Sequence, residues 1–512
     1  MIKKGGSIMS NILAIDQGTT STRVMIFSEK GKVVAKAHKP LSQHYPQPGW
    51  VEHDATEIWH HTQQTIREAM SIAGLEAKEI AAIGITNQRE TTVLWEKESG
   101  EPIHRAIVWQ DRRTAGQIEA MREEGWAEAV REKTGLELDA YFSASKLSWL
   151  LDHIPQARSR AERGEILFGT IDSYLMYRLT GGTVHATDVT NASRTMLYNI
   201  QKGTWDDDLI RYFNIPRAVL PDILPSSGLF GYAVKELFSG QRIPIQGVAG
   251  DQQAALFGQG AWESGMVKNT YGTGCFMLMP TGHTPVFSKR GLLTTIAWDL
   301  GDGPVYALEG SVFVAGAAIQ WLRDGLGLIE RAEESEMLAA TVPDTGGVVV
   351  VPAFVGLGAP HWDMYARGTI VGLTRGTGKA HIVRAVLESL AYQTKDVLSV
   401  MAEEAGSPLK LLKVDGGAAN NNWLMQFQAD ILGVAVSRPH ELETTAYGAA
   451  AFAALAAGVW SRQNILDFHT EAARFLPQMP ETERRLLYAR WLRAVERAKQ
   501  WVVVDDEATG TR

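Results

Sequence analysis

Short apolar runs rich in Val, Ile and Leu break repeatedly along this chain at glycine followed by hydroxyl or amide residues. Over residues 11–28 (NILAIDQGTTSTRVMIFS) two β-branched runs flank a polar turn at Gly18, which predicts a hairpin. The pattern returns where runs 265–268 and 275–279 flank Asn269-Thr270-Tyr271-Gly272-Thr273-Gly274, predicting a second hairpin. A different break occurs over residues 248–257. There an apolar strand ends at Gly250, Asp251-Gln252-Gln253 follows, and a helix is predicted from about 254 to 257. Residues 411–432 repeat it as strand, Asp-Gly-Gly turn and helix. Each half therefore carries one donor-rich hairpin and one glycine break into a helix, which predicts two similar α/β halves facing one another.

The remaining periodicity fills in the frame. Residues 80–95 are two apolar runs around the polar cluster Asn87-Gln88-Arg89-Glu90, and residues 107–113 are a third run ending in polar groups. An amphipathic helix is predicted within 141–153, a strand-to-helix step over 168–179, and loop with a short strand over 181–197. The small apolar stretch 310–321 predicts a helix in which Gly316 admits a flat ligand. Buried strand is predicted at 347–355, a loop at 358–363 and a helix at 381–401. A helix is also predicted from near Ala55, with Asp54 and Glu57 as its capping pair. His53, His60 and His61 read as solvated residues of that region, since neighbours such as His60 and His61 do not share a helix face.

Composition narrows the class. At 512 residues the chain is long enough for at least two domains with their own cores. A net charge of −8 argues against a general nucleic-acid grip, so any anionic ligand must be held by local donors. The single cysteine, Cys275, excludes an internal disulfide and fits a reducing cytoplasm. Residues 1–10 lack the apolar core of a secretory signal and read as a disordered extension. The uncharged run 444–460 is shorter than a membrane-spanning helix and reads as a buried one, so no integral membrane association is expected.

Candidate chemistry gathers at the breaks. Asp16, Thr19, Thr20, Ser21 and Arg23 place an acid, three hydroxyls and a guanidinium within eight residues, more donor chemistry than a turn needs. Thr270 and Thr273 add hydroxyls to the second turn, whose glycines let backbone N–H groups converge on an anion. A lone carboxylate, Asp251, beside such a cradle points to phosphoryl transfer with Asp251 as base. Residues 372–380 (GLTRGTGKA) fail the P-loop spacing by one residue and lack a Ser or Thr after Lys379.

These stretches together resemble the FGGY carbohydrate-kinase family over about residues 11–498. The resemblance rests on DQGTTSTR, GWVEHD, ITNQRETT, GDQQAALFGQ, NTYGTGCF and VDGGAANNN in order, with the longer stretches 141–153 and 368–388. It is strongest to members that phosphorylate glycerol with ATP, releasing ADP. The fold it implies is an actin-like, ribonuclease-H-like ATPase clamp of two α/β domains, spanning 11–258 and 259–500, with the active site in the interdomain cleft and a tail at 501–512. It implies Asp251 as base and Gln252 as a polyol contact, with Arg89, Glu90 and Tyr141 as further contacts and Trp109 and Phe276 as aromatic walls. It implies Thr19, Thr20, Ser21, Arg23 and Thr273 on the phosphates, and Asp16 at Mg²⁺ through water. Gly316, Gln320, Gly417 and Asn421 fall where the family holds the rest of the nucleotide. A homo-oligomer, dimer or tetramer, is implied too. Two alternatives stand beside it: a family member acting on a larger polyol or ketose, and a nucleotide clamp that binds a protein partner.

Overall fold

The computed structural model describes residues 10–441 and 443–502. The expected extension and tail lie outside the described residues except for Ser10, Trp501 and Val502. Two mixed sheets organise the chain. The first contains β1 (Asn11–Gln17), β2 (Ser21–Phe27), β3 (Val33–Pro40), β4 (Ile80–Asn87), β5 (Ser227–Tyr232) and β6 (Pro244–Gly250), in the order β5-β6-β4-β1-β2-β3. The second contains β7 (Met266–Tyr271), β8 (Cys275–Gly282), β9 (Leu293–Asp299), β10 (Pro304–Val312), β11 (Leu411–Asp415), β12 (Ala435–Pro439) and β13 (Glu471–Phe475). Its order is β9-β10-β8-β7-β11-β12-β13.

The two sheets share one path. In the first, β1, β2 and β3 form an antiparallel meander, and β4 then β6 add on parallel to β1. In the second, β7, β8 and β10 form the matching antiparallel set, with β9 intervening in the chain and paired at the outer edge of β10, and β11 then β12 add on parallel to β7. The expected pair of similar halves is thus a repeat of topology. β1 is buried along its whole length, which is why its residues read as an unbroken apolar run rather than an alternating one. Its hairpin closes where Gly18 N donates to Ser21 O at 3.0 Å. The second hairpin closes at residues 272–274. A Cβ on Gly274 would lie 2.3 Å from the Val312 carbonyl, so only glycine lets this turn lie against β10.

The helices that place the site are α1 (Ala55–Ala73), α2 (Ser143–His153), α3 (Asp251–Gly258), α4 (Gly316–Gln320), α5 (Lys379–Glu404), α6 (Asn422–Leu432) and α7 (Thr444–Ala456). α7 lies between β12 and β13 of the second sheet in the chain but packs on β1, β4 and β6 of the first sheet and on α3. Small residues make this approach possible. A Cβ on Gly84 would stand 2.2 Å from the Ala449 carbonyl, one on Gly247 2.5 Å from Ala453 N, and one on Gly448 1.8 Å from the Ala254 carbonyl. Backbone therefore meets backbone along the whole contact, with buried alanines between. Among the described residues no helix is long and apolar enough to cross a membrane.

Four expectations need correction. The helix after Gly250 starts at Asp251, not Ala254, so the carboxylate sits on the first helical residue. In the stretch 310–321 the first three residues extend β10 and pair with β8, because small apolar residues satisfy either period and the ladder claimed them. Helix begins only at Gly316, where the missing side chain admits the Gly272 carbonyl, bonded by Gly316 N at 3.0 Å, rather than leaving space for a ligand alone. Asp54 caps α1 by accepting from Thr56 N and Glu57 N, but the Glu57 carboxylate does not reciprocate and instead accepts from Ser42 Oγ at 2.9 Å. His53 is buried in a short strand, Glu52–His53, and is not solvated.

The α7 contact predicts an inverted response to glycine replacement. Gly448→Ala is expected to destabilise by about 1–3 kcal/mol through overpacking. At Gly116, exposed on a helix with nothing near its absent side chain, the same change is expected to stabilise by up to about 1 kcal/mol. Urea unfolding of both variants measures this, and a Gly448→Ala protein as stable as the parent would show that the contact has slack.

Candidate active site

Four segments meet between the sheets: the two hairpin turns, the end of β4 and the junction of β6 with α3. Each follows the carboxyl end of a strand with a parallel neighbour, where α/β sheets open crevices to ligands. At the end of β4, Arg89 and Glu90 are both buried, and Glu90 is held at φ 60°. That left-handed backbone at a non-glycine residue is the kind of local strain found at functional sites. Gly250 makes room for Arg89, since a Cβ there would lie 2.7 Å from its side chain.

Arg89 is the centre of a charged cluster. Its Nη1 and Nη2 donate to the two carboxylate oxygens of Glu309 at 2.6 and 2.9 Å, and Nη1 also donates to Gln253 Oε1 at 3.2 Å. Its closest approach to Asp251 is from Nε, at 3.4 Å. Arg194, wholly buried, donates from Nε to Glu90 Oε1 at 2.7 Å and from Nη2 to Glu309 Oε1 at 3.0 Å. Burial pushes the Glu309 carboxyl up, but Arg194 and Arg89 outweigh it and hold it at about 2. Burial raises the Glu90 carboxyl despite the same two guanidiniums.

Asp251 lies at the lip of this cluster. Its Oδ1 accepts from Gln252 N at 2.7 Å, and its side chain is 27% exposed, so the cleft can reach it. Burial raises its carboxyl above the usual range, with Arg89 and Lys268 opposing. The amide oxygen of Gln252 accepts from the buried Lys268 ammonium, whose titration burial lowers to about 8. Because an ammonium can only donate, this bond turns the Gln252 NH₂ away from Lys268 as a free donor.

Three rings stand beside these groups. Trp109 meets Tyr141 at 5.5 Å and Phe276 at 6.4 Å, both edge to face. Trp109 Nε1 donates to Thr19 Oγ1 at 3.0 Å, tying the aromatic wall to the first hairpin turn. Tyr141 is fixed from behind, where Lys146 Nζ donates to the carbonyls of Ala140, Tyr141 at 2.8 Å and Phe142 at 3.1 Å.

The remaining predicted residues fall into two groups. At the first hairpin, Thr20 is exposed and Ser21 half-buried, while Asp16 is buried with Arg23 Nη1 3.8 Å away. Arg23 is shared with Glu443, which also takes Lys36. Around the second hairpin, Thr273 is exposed and its carbonyl accepts from Ala315 N and Ala317 N at 2.9 and 3.1 Å. Gly316 abuts Gly272, and a Cβ on Gly416, just before Gly417, would lie 2.4 Å from the Tyr271 carbonyl. Gln320 and Gly417 are exposed, and Asn421 caps α6 on Leu424 N while donating to Ser335 Oγ at 3.3 Å.

Among the described residues no three acidic, His or Cys side chains gather into a metal cage. Mg²⁺ does not require one, since it keeps most of its waters and leans on one or two carboxylates plus substrate phosphates. Asp16 fits that use. Burial lifts its carboxyl to about 7, eased by Arg23, and a cation nearby would favour its ionised form.

Known proteins resemble this chain along most of its length. Residues 11–258 match the N-terminal domain of the FGGY family of carbohydrate kinases, and residues 267–457 match its C-terminal domain. The chain belongs to the FGGY family. It is 58% identical over 490 residues to a glycerol kinase of Halorhodospira halophila, covering 96% of this chain and 97% of that one. Over 494 residues it is 57% identical to glycerol kinase 2 of Thermotoga maritima, covering 96% and 99%. Among solved structures, a Plasmodium falciparum glycerol kinase with ADP superposes with a TM-score of 0.92 at 36% identity, covering 97% of this chain and 99% of that one.

The sequence pattern of this FGGY chain assigned no role to Arg194, Gln253, Lys268, Lys146 or Glu309. Arg194 falls in a stretch read as loop, yet it follows a one-turn helix, Val189–Ala192, and enters the core. For Glu309 a signal was present: a lone acid inside an apolar strand, a position that is costly unless paired.

His53 braces the same region, its Nδ1 3.2 Å from Gln88 Nε2 and its Nε2 2.9 Å from Gln43 Oε1. Burial, with His44 adding, lowers its titration from 6.5 to about 4, so the folded protein holds it neutral. The resulting stability is complete above pH 6.5 and is lost as pH falls toward 4, because the unfolded chain takes up the proton first. Over that window the parent is expected to lose about 3 kcal/mol more than His53→Gln. Urea midpoints at several pH values measure the difference, and parallel slopes would rule out a neutral buried imidazole.

Proposed function

We propose that this protein transfers the γ-phosphoryl group of ATP to a terminal hydroxyl of glycerol, giving glycerol 3-phosphate and ADP. The observation that carries the reading is the placement of one reachable carboxylate, Asp251, beside an Arg–Glu pair and three aromatic rings, next to two glycine hairpins. The names of the relatives at 57–58% identity over 96% of the chain support it. So does the ADP in the solved relative.

A triol needs several directional partners and little apolar area. Arg89 retains its Nε–H and one Nη2–H after its bonds to Glu309 and Gln253, while Gln252 offers its NH₂ and Asp251 accepts. Trp109, Tyr141 and Phe276 pack the carbons. Asp251 takes the proton of the terminal hydroxyl, whose oxygen forms a bond to the γ-phosphorus as the bond to the β–γ bridging oxygen breaks. Thr19, Thr20, Ser21, Arg23 and Thr273, with the backbone N–H groups of both turns, bind the phosphates. Gly316, Gln320, Gly417 and Asn421 line the place for the rest of the nucleotide. Asp16 would hold Mg²⁺, which when bound would supply charge neutralisation for the phosphates.

Asp251→Asn is expected to keep nucleotide binding and lose about 10²–10⁴ in turnover. A variant within about threefold of the parent, well below that range, would remove Asp251 as base. Substrate choice is tested separately by ADP release with glycerol against four- to six-carbon polyols and ketoses. Glycerol should win by the largest kcat/KM, whereas a preferred larger substrate would make this a kinase of another sugar alcohol, and polyol-independent turnover would favour a nucleotide clamp.

The aromatic wall gives a further expectation. Trp109→Ala or Phe276→Ala should weaken glycerol binding and narrow its advantage over four- and five-carbon polyols by about tenfold. An unchanged selectivity profile in both variants would place these rings outside the pocket.

A further inference from the structure

A guanidinium buried beside a carboxylate ordinarily closes on it with two parallel N–H bonds. Had Arg89 done so with Asp251, the carboxylate would accept two charged donors and make a poor base. The forked end of Arg89 is instead occupied by Glu309, at 2.6 and 2.9 Å, and its closest approach to Asp251 is from Nε, at 3.4 Å. Glu309 also accepts from Arg194 at 3.0 Å, so one carboxylate holds two arginines. Its side chain is 2% exposed, and it comes from β10 of the second sheet, whereas Arg89 and Arg194 belong to the first half.

The charge count shows what this carboxylate does. Arg89, Arg194, Glu90 and Glu309 together are neutral. Without the charge of Glu309, two buried guanidiniums would share Glu90 and Asp251, and Asp251 is the only one of the two not already bonded to Arg194. Resting on the reading of Asp251 as the base, we propose that Glu309 is a positioning residue that holds the forked ends of Arg89 and Arg194 and so keeps Arg89 from closing on Asp251.

The test measures kcat and KM for glycerol and for MgATP in Glu309→Gln, Glu309→Asp, Asp251→Asn and the double variants, with ADP binding confirming the fold. Glu309→Gln is expected to lower kcat by about 10²-fold, the scale of a misplaced reacting group, while KM for MgATP stays within about twofold. Glu309→Asp keeps the charge and should recover about tenfold of that loss. Because the effect passes through Asp251, adding Glu309→Gln to Asp251→Asn should lower kcat no further than about threefold. A purely architectural role would instead give losses that multiply.

Turnover of Glu309→Gln within about threefold of the parent, or multiplying losses in the double variant, would overturn the proposal. If Glu309→Gln does not fold, Glu309→Asp replaces it in the cycle, with about a tenfold loss expected and the same non-additivity deciding. Failure of the base assignment is distinguishable: Asp251→Asn near parental activity removes the base, whereas an inactive Asp251→Asn beside an unimpaired Glu309→Gln removes only the role of Glu309.

Discussion

Everything at the site leans on α7, which is seated, backbone to backbone, on a sheet from the other half of the chain. Gly84, Gly247 and Gly448 leave no side chain in that contact, and the alanines between them have no rotamers to adjust. Close packing of this kind transmits position rather than absorbing it. The start of α7 shows the consequence. Glu443, just before it, holds Arg23 of the first hairpin, and the Thr444 hydroxyl donates to Asp415 at the end of β11. One helix terminus thus touches strands of both sheets.

With the sheets so placed, Glu309 can reach Arg89 and Arg194 across the gap. Buried ion pairs contribute little net stability, because desolvation offsets most of the attraction. Their value here is geometric. Two arginines and two glutamates whose hydrogen bonds interlock allow few arrangements, and the observed one leaves Asp251 partly exposed and only weakly engaged by Nε. The strained backbone at Glu90 persists because its neighbours determine it on every side.

The repeat of topology explains why phosphate-side and polyol-side groups lie so close. Each antiparallel set turns back at a glycine hairpin, and in both sheets that hairpin sits beside a parallel strand ending in the cleft. Facing such units toward one another brings two donor-rich turns to a single space. Trp109, bonded to Thr19, makes the wall of one region lean on the turn of the other.

Much of this was legible from residues 11–28, 248–257, 269–276 and 411–432 by themselves. Hairpins, glycine breaks and a carboxylate after Gly250 are local features, set by β-branched runs and by turns that glycine alone permits. Local pattern also identified the long buried helix near residue 444, though not the sheet it packs on. What it missed are residues whose role depends on partners far away in the chain. Arg194 and Glu309 are 115 positions apart, and the pairing of Arg89 with Glu309 spans 220. His53 likewise reads as solvated until Gln43 and Gln88 are seen to bracket it. Stretch 310–321 fits either period, and only pairing with β8 assigned its first residues to strand. Periodicity reports which face of an element is dry; where a charge finds its counter-charge is decided when the elements pack.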